Sequence, residues 1–144
     1  MSEIIEETIV NAYPDVVIES RDVFGVPNLK LQPSALQQVC TLLADSGFDY
    51  LADITAIDWR DRIEVVYQLT SLASNQKLAL RVDLDRDRPE VDSLSGIWKG
   101  AEFQEREAFD LMGVVFRGHP DLRRILLPED WDGYPLRKDY VIPD

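Results

Sequence analysis

Two stretches of alternation, Ile63 to Thr70 and Lys77 to Asp85, leave this chain little choice of architecture. In the first, Ile63, Val65, Tyr67 and Leu69 alternate with Glu64, Gln68 and Thr70; in the second, Leu78, Leu80, Val82 and Leu84 alternate with Lys77, Arg81, Asp83 and Asp85. Successive strand side chains point to opposite faces, so this period of two predicts a sheet with one packed face and one wet face. Tyr50 to Trp59 is also strand-like, and Arg60-Asp61-Arg62 reads as the polar turn that follows it.

Upstream, the period changes. Ile5, Ile9 and Ala12 are spaced as on a helix running from Ile4 to Tyr13, and Pro14 stops it. Val16-Val17-Ile18 and Asn28 to Gln32 read as two strands, with Gly25 and Pro27 marking the turn between them. Ser34 with Gln37 three residues later has the form of a capping box after Pro33, and Leu36, Val39, Cys40 and Leu43 then make one apolar stripe that Gly47 ends. The charged run Asp83 to Asp92 reads as a solvated turn, Ser93 to Trp98 as a short helical turn, and Ala101 to Met112 as the last helix, closed by Gly113. Helices interleaved early and strands bunched late predict an α+β fold with the sheet covered on one side. A chain of 144 residues, 45% of them hydrophobic, suits one domain with one core.

Charge and cysteine usage exclude several roles. Against 27 Asp and Glu stand 15 Lys and Arg, a net charge of −12. A body that acidic repels phosphate backbones and anionic headgroups, which argues against nucleic acid and direct membrane-surface binding. The excess serves solubility or docking against a basic neighbour. Cys40, alone and on an apolar stripe, is expected in the core; one thiol cannot hold an iron–sulfur cluster. The start of the chain is acidic where a signal peptide is basic, and no apolar run approaches the roughly 20 residues of a membrane span. These signs predict a cytoplasmic protein.

Catalytic motifs are missing. There is no G-x-G-x-x-G, no P-loop and no C-x-x-C. His119 is the one histidine, set between Gly118 and Pro120, so a Ser–His–acid triad has little to build on. Glu107 and Asp110, three apart on the last helix, with His119 downstream, would suit a divalent ion, although common metal sites draw on more than one His or Cys. The alternative is that these acids pair with Arg106 or with a partner, since Glu102, Arg106 and Asp110 fall at i, i+4 and i+8 along one helix face.

The end of the chain is the informative part. Pro120, Pro128, Pro135 and Pro143 recur too often for a helix or an inner strand. Yet the segment carries Phe116, Leu122, Ile125, Leu126, Leu127, Trp131, Tyr134, Leu136 and Tyr140, too apolar for a solvated linker. It must fold back over its own domain or lie on another protein. Aromatics beside Arg123-Arg124 and Arg137-Lys138 have the composition of an interface core and favour a docking tail, mobile when free and ordered when bound. The expected division is an α+β body over 1–112 and a Pro-rich docking tail over 113–144.

Glu105-Arg106-Glu107-Ala108-Phe109-Asp110-Leu111-Met112-Gly113, then Phe116 and Gly118-His119-Pro120-Asp121-Leu122-Arg123-Arg124-Ile125-Leu126, resembles the C-subunit family of respiratory complex I. So does the closing run Pro128-Glu129-Asp130-Trp131, Gly133, Pro135-Leu136-Arg137-Lys138-Asp139-Tyr140. Asp53 to Trp59 and Glu64 to Tyr67 resemble the family's central strands, and the likeness covers most of the chain from about Gly47 to Tyr140.

The resemblance implies a two-layer α-β-β-α-β-β-β domain with a mixed sheet, followed by a helix and the extended tail. It implies a non-catalytic structural subunit, in a short unfused form, of the hydrophilic arm of a proton-translocating NADH:quinone oxidoreductase. The place implied is peripheral, on the cytoplasmic side of the inner (plasma) membrane. Its neighbours would be the quinone-site D-subunit and the iron–sulfur subunits B and I. The complex uses FMN, iron–sulfur clusters, NADH and quinone, and this chain is expected to bind none of them. Arg123, Arg124, Arg137 and Lys138 would bond partner carboxylates or carbonyls, and Trp131 and Tyr134 would be apolar anchors. Glu105, Arg106, Glu107 and Asp110 would fix the last helix, while Phe116, His119, Asp121, Leu136, Asp139 and Tyr140 complete the docking set. The competing readings are the same scaffold in a ferredoxin-dependent or hydrogenase-type complex, an adaptor for an unrelated complex, and a metal-dependent enzyme on Glu107, Asp110 and His119.

Overall fold

A computed structural model describes residues 2–141; Pro143 and the last three positions of the expected tail lie outside the described residues. The alternating stretches form β4 (Ile63–Ser71) and β5 (Gln76–Leu84), antiparallel over their whole length from Ile63 opposite Leu84 to Ser71 opposite Gln76. On the other side of β4 runs β3 (Tyr50–Asp58), also antiparallel. A hairpin of β1 (Val17–Val23) and β2 (Val26–Leu31) completes the sheet, with β2 parallel to β5 in the order β1-β2-β5-β4-β3. The sheet is therefore mixed. The hairpin turns through Phe24 and Gly25 at φ 52° and 81°, the paired positive angles of the tight turn that matches strand twist. Pro27, expected in that turn, instead lies within β2 opposite Asp22.

Three helices supply the second layer: α1 (Ser2–Ala12), α2 (Leu36–Asp45) and α3 (Ala101–Met112). Ile9 of α1, Leu36, Val39, Cys40 and Leu43 of α2, and Ala101, Ala108 and Met112 of α3 join the inward side chains Leu29, Leu31, Val65, Tyr67, Leu69, Leu78, Leu80 and Val82 in one core. Burial pushes the Cys40 thiol far above its usual range, so it remains an uncharged packing group. The expected capping box at Ser34 is absent. Pro33–Ala35 form a 3₁₀ turn that feeds α2 directly, and no side chain caps that helix. Gln32, forced to extended geometry by the proline after it, precedes the 3₁₀ turn, so Ser34 sits inside the turn where its hydroxyl has no free amide to meet.

Two expectations about solvation are corrected. The outer face of the sheet is not wet at its centre: Glu64, Val66 and Ala79 are all buried there without a helix above them. Lys30 and Arg81 lie across it, with Lys30 Nζ 3.5 Å and Arg81 Nη1 3.1 Å from the Glu64 carboxylate, and the Trp59 indole donates to the same group at 3.3 Å. Long side chains thus cover the apolar atoms with their stems while keeping their charges paired. The run Asp83 to Asp92 is likewise more than a solvated turn. Glu90–Asp92 forms β6, which pairs in parallel with β7 (Val115–Arg117) just after α3, and Val91 and Phe116 are both buried there. Strands of three residues whose partner is 25 positions away carry no periodic signal of their own.

Candidate docking site

A helix leaves its last four carbonyls without intrahelical partners, and their combined dipole favours positive charge. No basic residue lies in the last turn of α3 to meet them. The tail supplies it instead. Gly113 N–H donates to Phe109 O at 2.8 Å, Arg124 to Asp110 O at 2.7 Å, Leu136 N–H to Leu111 O at 3.0 Å, and Arg137 to Met112 O at 2.6 Å. Two guanidinium groups and two amides thereby close the end of the helix, and three of the four come from beyond residue 120. Gly113 adopts φ +78°, and a Cβ there would lie 2.9 Å from the Tyr134 ring, so the backbone angle and the tail both require glycine.

Asp110 is the centre of this clamp. Fully buried, its Oδ1 accepts from Arg124 at 2.7 Å, and its Oδ2 accepts from the amides of Ile125, Leu126 and Leu127 at 3.2, 2.7 and 2.9 Å. Burial alone would raise its pKa, but Arg124 and the three amides outweigh that and hold the carboxyl below its ordinary range. Arg124 also donates to Gly133 O at 2.7 Å and lies 5.1 Å from the Tyr134 ring centroid, while Arg106 donates to the carbonyls of Arg123 and Arg124 at 3.1 and 2.9 Å. The i, i+4, i+8 ion-paired ridge expected along α3 is therefore not formed. Arg106 serves tail carbonyls and Asp110 serves Arg124, because both side chains lie under the returning tail.

A second carboxylate fastens the far end. Asp58, at the end of β3 and 3% exposed, accepts both nitrogens of the Arg86 fork at 2.8 Å, Arg60 N–H at 2.8 Å and Lys138 N–H at 2.9 Å. The Arg86 hydrogen bonds drive its pKa far below the carboxylate range, against the pull of burial. Asp139 adds a contact to Arg86 at 3.3 Å, and Arg137 reaches Arg86 O at 3.1 Å. Sequence reading missed both anchors. Arg86 looked like part of a solvated run, and nothing local links Asp58 to a residue 80 positions later.

The other expected site residues divide by exposure. Glu105 is buried, accepting from Ser93 Oγ at 2.6 Å and Leu94 N–H at 2.8 Å; desolvation raises its pKa. Phe116, expected to face a partner, is in the core because β7 turns it inward. Tyr134 meets Phe109 edge-on with centroids 6.2 Å apart, and Arg124 and Arg137 both lie over it. Tyr140, itself half-buried, packs against Gly133. Arg123 is exposed and paired with Asp121 at 2.9 Å and Glu129 at 3.2 Å. His119 takes the Asp121 amide on Nδ1 at 2.9 Å, which leaves Nε2 to donate to Glu102 O at 2.9 Å. Both ring nitrogens are thus engaged, Asp110 is enclosed, and Glu107 faces outward. Among the described residues no group of three or more His, Cys, Asp or Glu is placed to hold a metal ion.

What remains outward-facing is apolar or charged, with acids in excess. Leu126, Trp131 and Leu136 are exposed, and an open groove of about 530 Å³ runs between Phe109, Leu122, Trp131 and Tyr134 with Arg123 and Glu129 on it. A second hollow of about 340 Å³, beside Val26, Phe48 and Leu78, has Lys77 as its one titratable lining residue among those described.

The family model for the respiratory-chain NADH dehydrogenase 30 Kd subunit matches residues 29–144, which include every anchor of the clamp. The chain belongs to that family. A relative from Moorella thermoacetica, the C-subunit of an NADH-quinone oxidoreductase, is 47% identical over 143 residues, covering 97% of this chain and 95% of that one. The solved trypsin-resistant fragment (1–134) of Nqo5 is 30% identical, with a TM-score of 0.72 over 85% of this chain and all of that one. A chain of the archaeal membrane-bound sulfane sulfur reductase complex shares the fold at a TM-score of 0.83, over 97% of this chain and 85% of that one, at 24% identity. In this chain, no helix among the described residues is long and apolar enough to cross a membrane.

Proposed function

We propose that this chain is a structural subunit of an NADH:quinone oxidoreductase, without catalytic residues or a bound cofactor of its own, that docks in the hydrophilic arm. It sits peripherally on the cytoplasmic side of the membrane beside the quinone-site D-subunit and the iron–sulfur subunits B and I. FMN, iron–sulfur clusters, NADH and quinone belong to those and other chains. The observation that carries the reading is the clamp: buried polar groups of the body are devoted to fixing the path of an irregular tail, which leaves exposed apolar side chains at set positions. Preorganising a segment in this way lowers the ordering cost of association. The 47% identity to an NADH-quinone oxidoreductase chain along nearly its whole length supports this complex over a ferredoxin-dependent or hydrogenase-type one. The residues proposed to face partners are Glu107, Asp121, Arg123, Trp131, Leu136, Lys138 and Asp139; Arg106, Arg124, Tyr134, Arg137 and Tyr140 hold the tail that presents them.

The test is affinity purification of the tagged chain from its native membranes in mild detergent. Quinone-site, iron–sulfur and NADH-oxidising subunits should co-purify. A chain recovered alone would refute the docking role. Metal analysis of the purified chain addresses the other half of the proposal, since a stoichiometric transition metal would contradict a cofactor-free scaffold.

A further inference from the structure

Three tryptophans occur in the chain, and two have their indole N–H engaged internally: Trp98 donates to Phe48 O at 3.0 Å and Trp59 to Glu64 at 3.3 Å. The indole N–H of Trp131 meets no acceptor among the described residues, although the backbone there is fixed by its own amide bonding Pro128 O at 2.9 Å. Its ring is 37% exposed and forms one wall of the groove with Phe109, Leu122 and Tyr134. On either side stand Asp130 and Asp132, both exposed and both without an ion pair or hydrogen bond among the described residues. Among the described residues, the exposed charges from Asp121 onward are Asp121, Glu129, Asp130, Asp132 and Asp139 against Arg123 and Lys138.

We infer that Asp130-Trp131-Asp132 is the recognition element of the tail, inserting Trp131 into an apolar slot of a partner protein that is rimmed by lysine or arginine and offers an acceptor for the indole N–H. A half-exposed aromatic on a rigid backbone, flanked by charges that steer the approach, has the composition of an interface hot spot. This polarity fits the basic neighbour that the acidic excess allows and differs from the role expected of the tail arginines. Arg124 and Arg137, expected to seek partner carboxylates, close α3 instead, and the unpaired charges beside Trp131 are acids. The occupant is a protein face and not an anionic membrane, which the flanking carboxylates repel, nor a second copy, which brings the same acidic rim from a chain of net charge −12. The inference rests on the docking role proposed above and names the chemistry of its partner.

The experiment measures binding of the purified full chain to the complex depleted of this subunit, for wild type, Trp131→Ala and Asp130→Asn/Asp132→Asn. Trp131→Ala should weaken binding roughly 30-fold or more. The double amide variant should bind more weakly at low salt and lose much of the salt dependence seen in wild type. The double amide variant should keep the wild-type melting temperature, because Asp130 and Asp132 are exposed, whereas Trp131→Ala also removes a groove wall and should lower it by a few degrees at most. If wild type binds and both variants match it within twofold, the recognition element lies elsewhere and the inference fails while the docking role stands. If wild type itself does not bind, both fail together. Partition of wild type onto phosphatidylglycerol vesicles, or concentration-dependent dimerisation in sedimentation that Trp131→Ala removes, would each overturn the choice of a basic protein partner.

Discussion

The five-stranded sheet and the tail that crosses its end are held by different forces. In the sheet, β4 and β5 pair residue by residue over nine positions, and their inward side chains join a core shared with three helices. Hydrophobic burial there is spread over many residues of similar worth. From Gly118 to Val141 the tail has no regular structure, and its attachment runs through a few polar atoms: the carboxylates of Asp58 and Asp110 and the guanidinium groups of Arg106, Arg124 and Arg137. Distributed packing degrades gradually, whereas an attachment resting on a few buried charges is lost when one partner goes. The body should therefore tolerate changes that release the tail.

The largest effects should come from the clamp. Asp110→Ala leaves Arg124, 9% exposed, facing an empty site, and losing one partner of a buried pair costs about 3–5 kcal/mol. Hydrogen exchange should show tail amides of 120–141 losing protection while those of β4 and β5 keep theirs; equal loss in both regions would show that tail and sheet unfold as one unit. Leu80→Ala should act the other way, destabilising the whole chain in urea by ~2–5 kcal/mol with both regions lost together. Smaller is Gly113→Ala, where a positive φ and the Tyr134 ring both resist the methyl group; about 1–2 kcal/mol is expected, read again as exchange in the tail before the sheet. Smallest is Ser34→Ala, which should change the melting temperature within error because no cap is lost; a drop typical of a missing N-cap would restore the capping box.

Acid should separate the same two regions. Asp58 and Asp110 are held below the ordinary carboxylate range in the folded chain, so their stabilisation is complete above about pH 4, the unfolded value, and is lost as pH falls toward their folded values. Glu105 has the opposite sign. Its folded pKa is raised by burial, so its protonated form is favoured in the fold and its contribution to stability increases as pH drops through that raised value. Titration from pH 6 downward should first leave the body unharmed and then, below about pH 4, free the tail before far-UV circular dichroism reports loss of the sheet. Simultaneous loss would remove the distinction between the regions.

Much of this was legible in residues and little in their pairing. The alternation of β4 and β5, the apolar stripe of α2 and the glycine that ends α3 each write their structure within a dozen positions, since strand and helix periods are local properties of the backbone. The tail's composition announced that it must cover something. It did not say that Arg124 would find Asp110 or that Lys138 N–H would find Asp58, because an unpaired charge or amide seeks any buried complement and only the folded path decides which one lies within 3 Å. β6 and β7 were invisible for the same reason, each being three residues that become a strand through the other.

The sequence by itself determined the class of fold, the family and the residue types that hold and present the tail. The tertiary structure alone decided the division of labour among those types: Arg124, Arg137 and Asp110 closing the end of α3, Glu64 buried beneath Lys30 and Arg81 on the outer face, and Asp130, Trp131 and Asp132 left facing outward. The physical reason is that burial and hydrogen bonding of a polar group are settled by what arrives opposite it from a distant part of the chain, whereas secondary structure is settled by its neighbours.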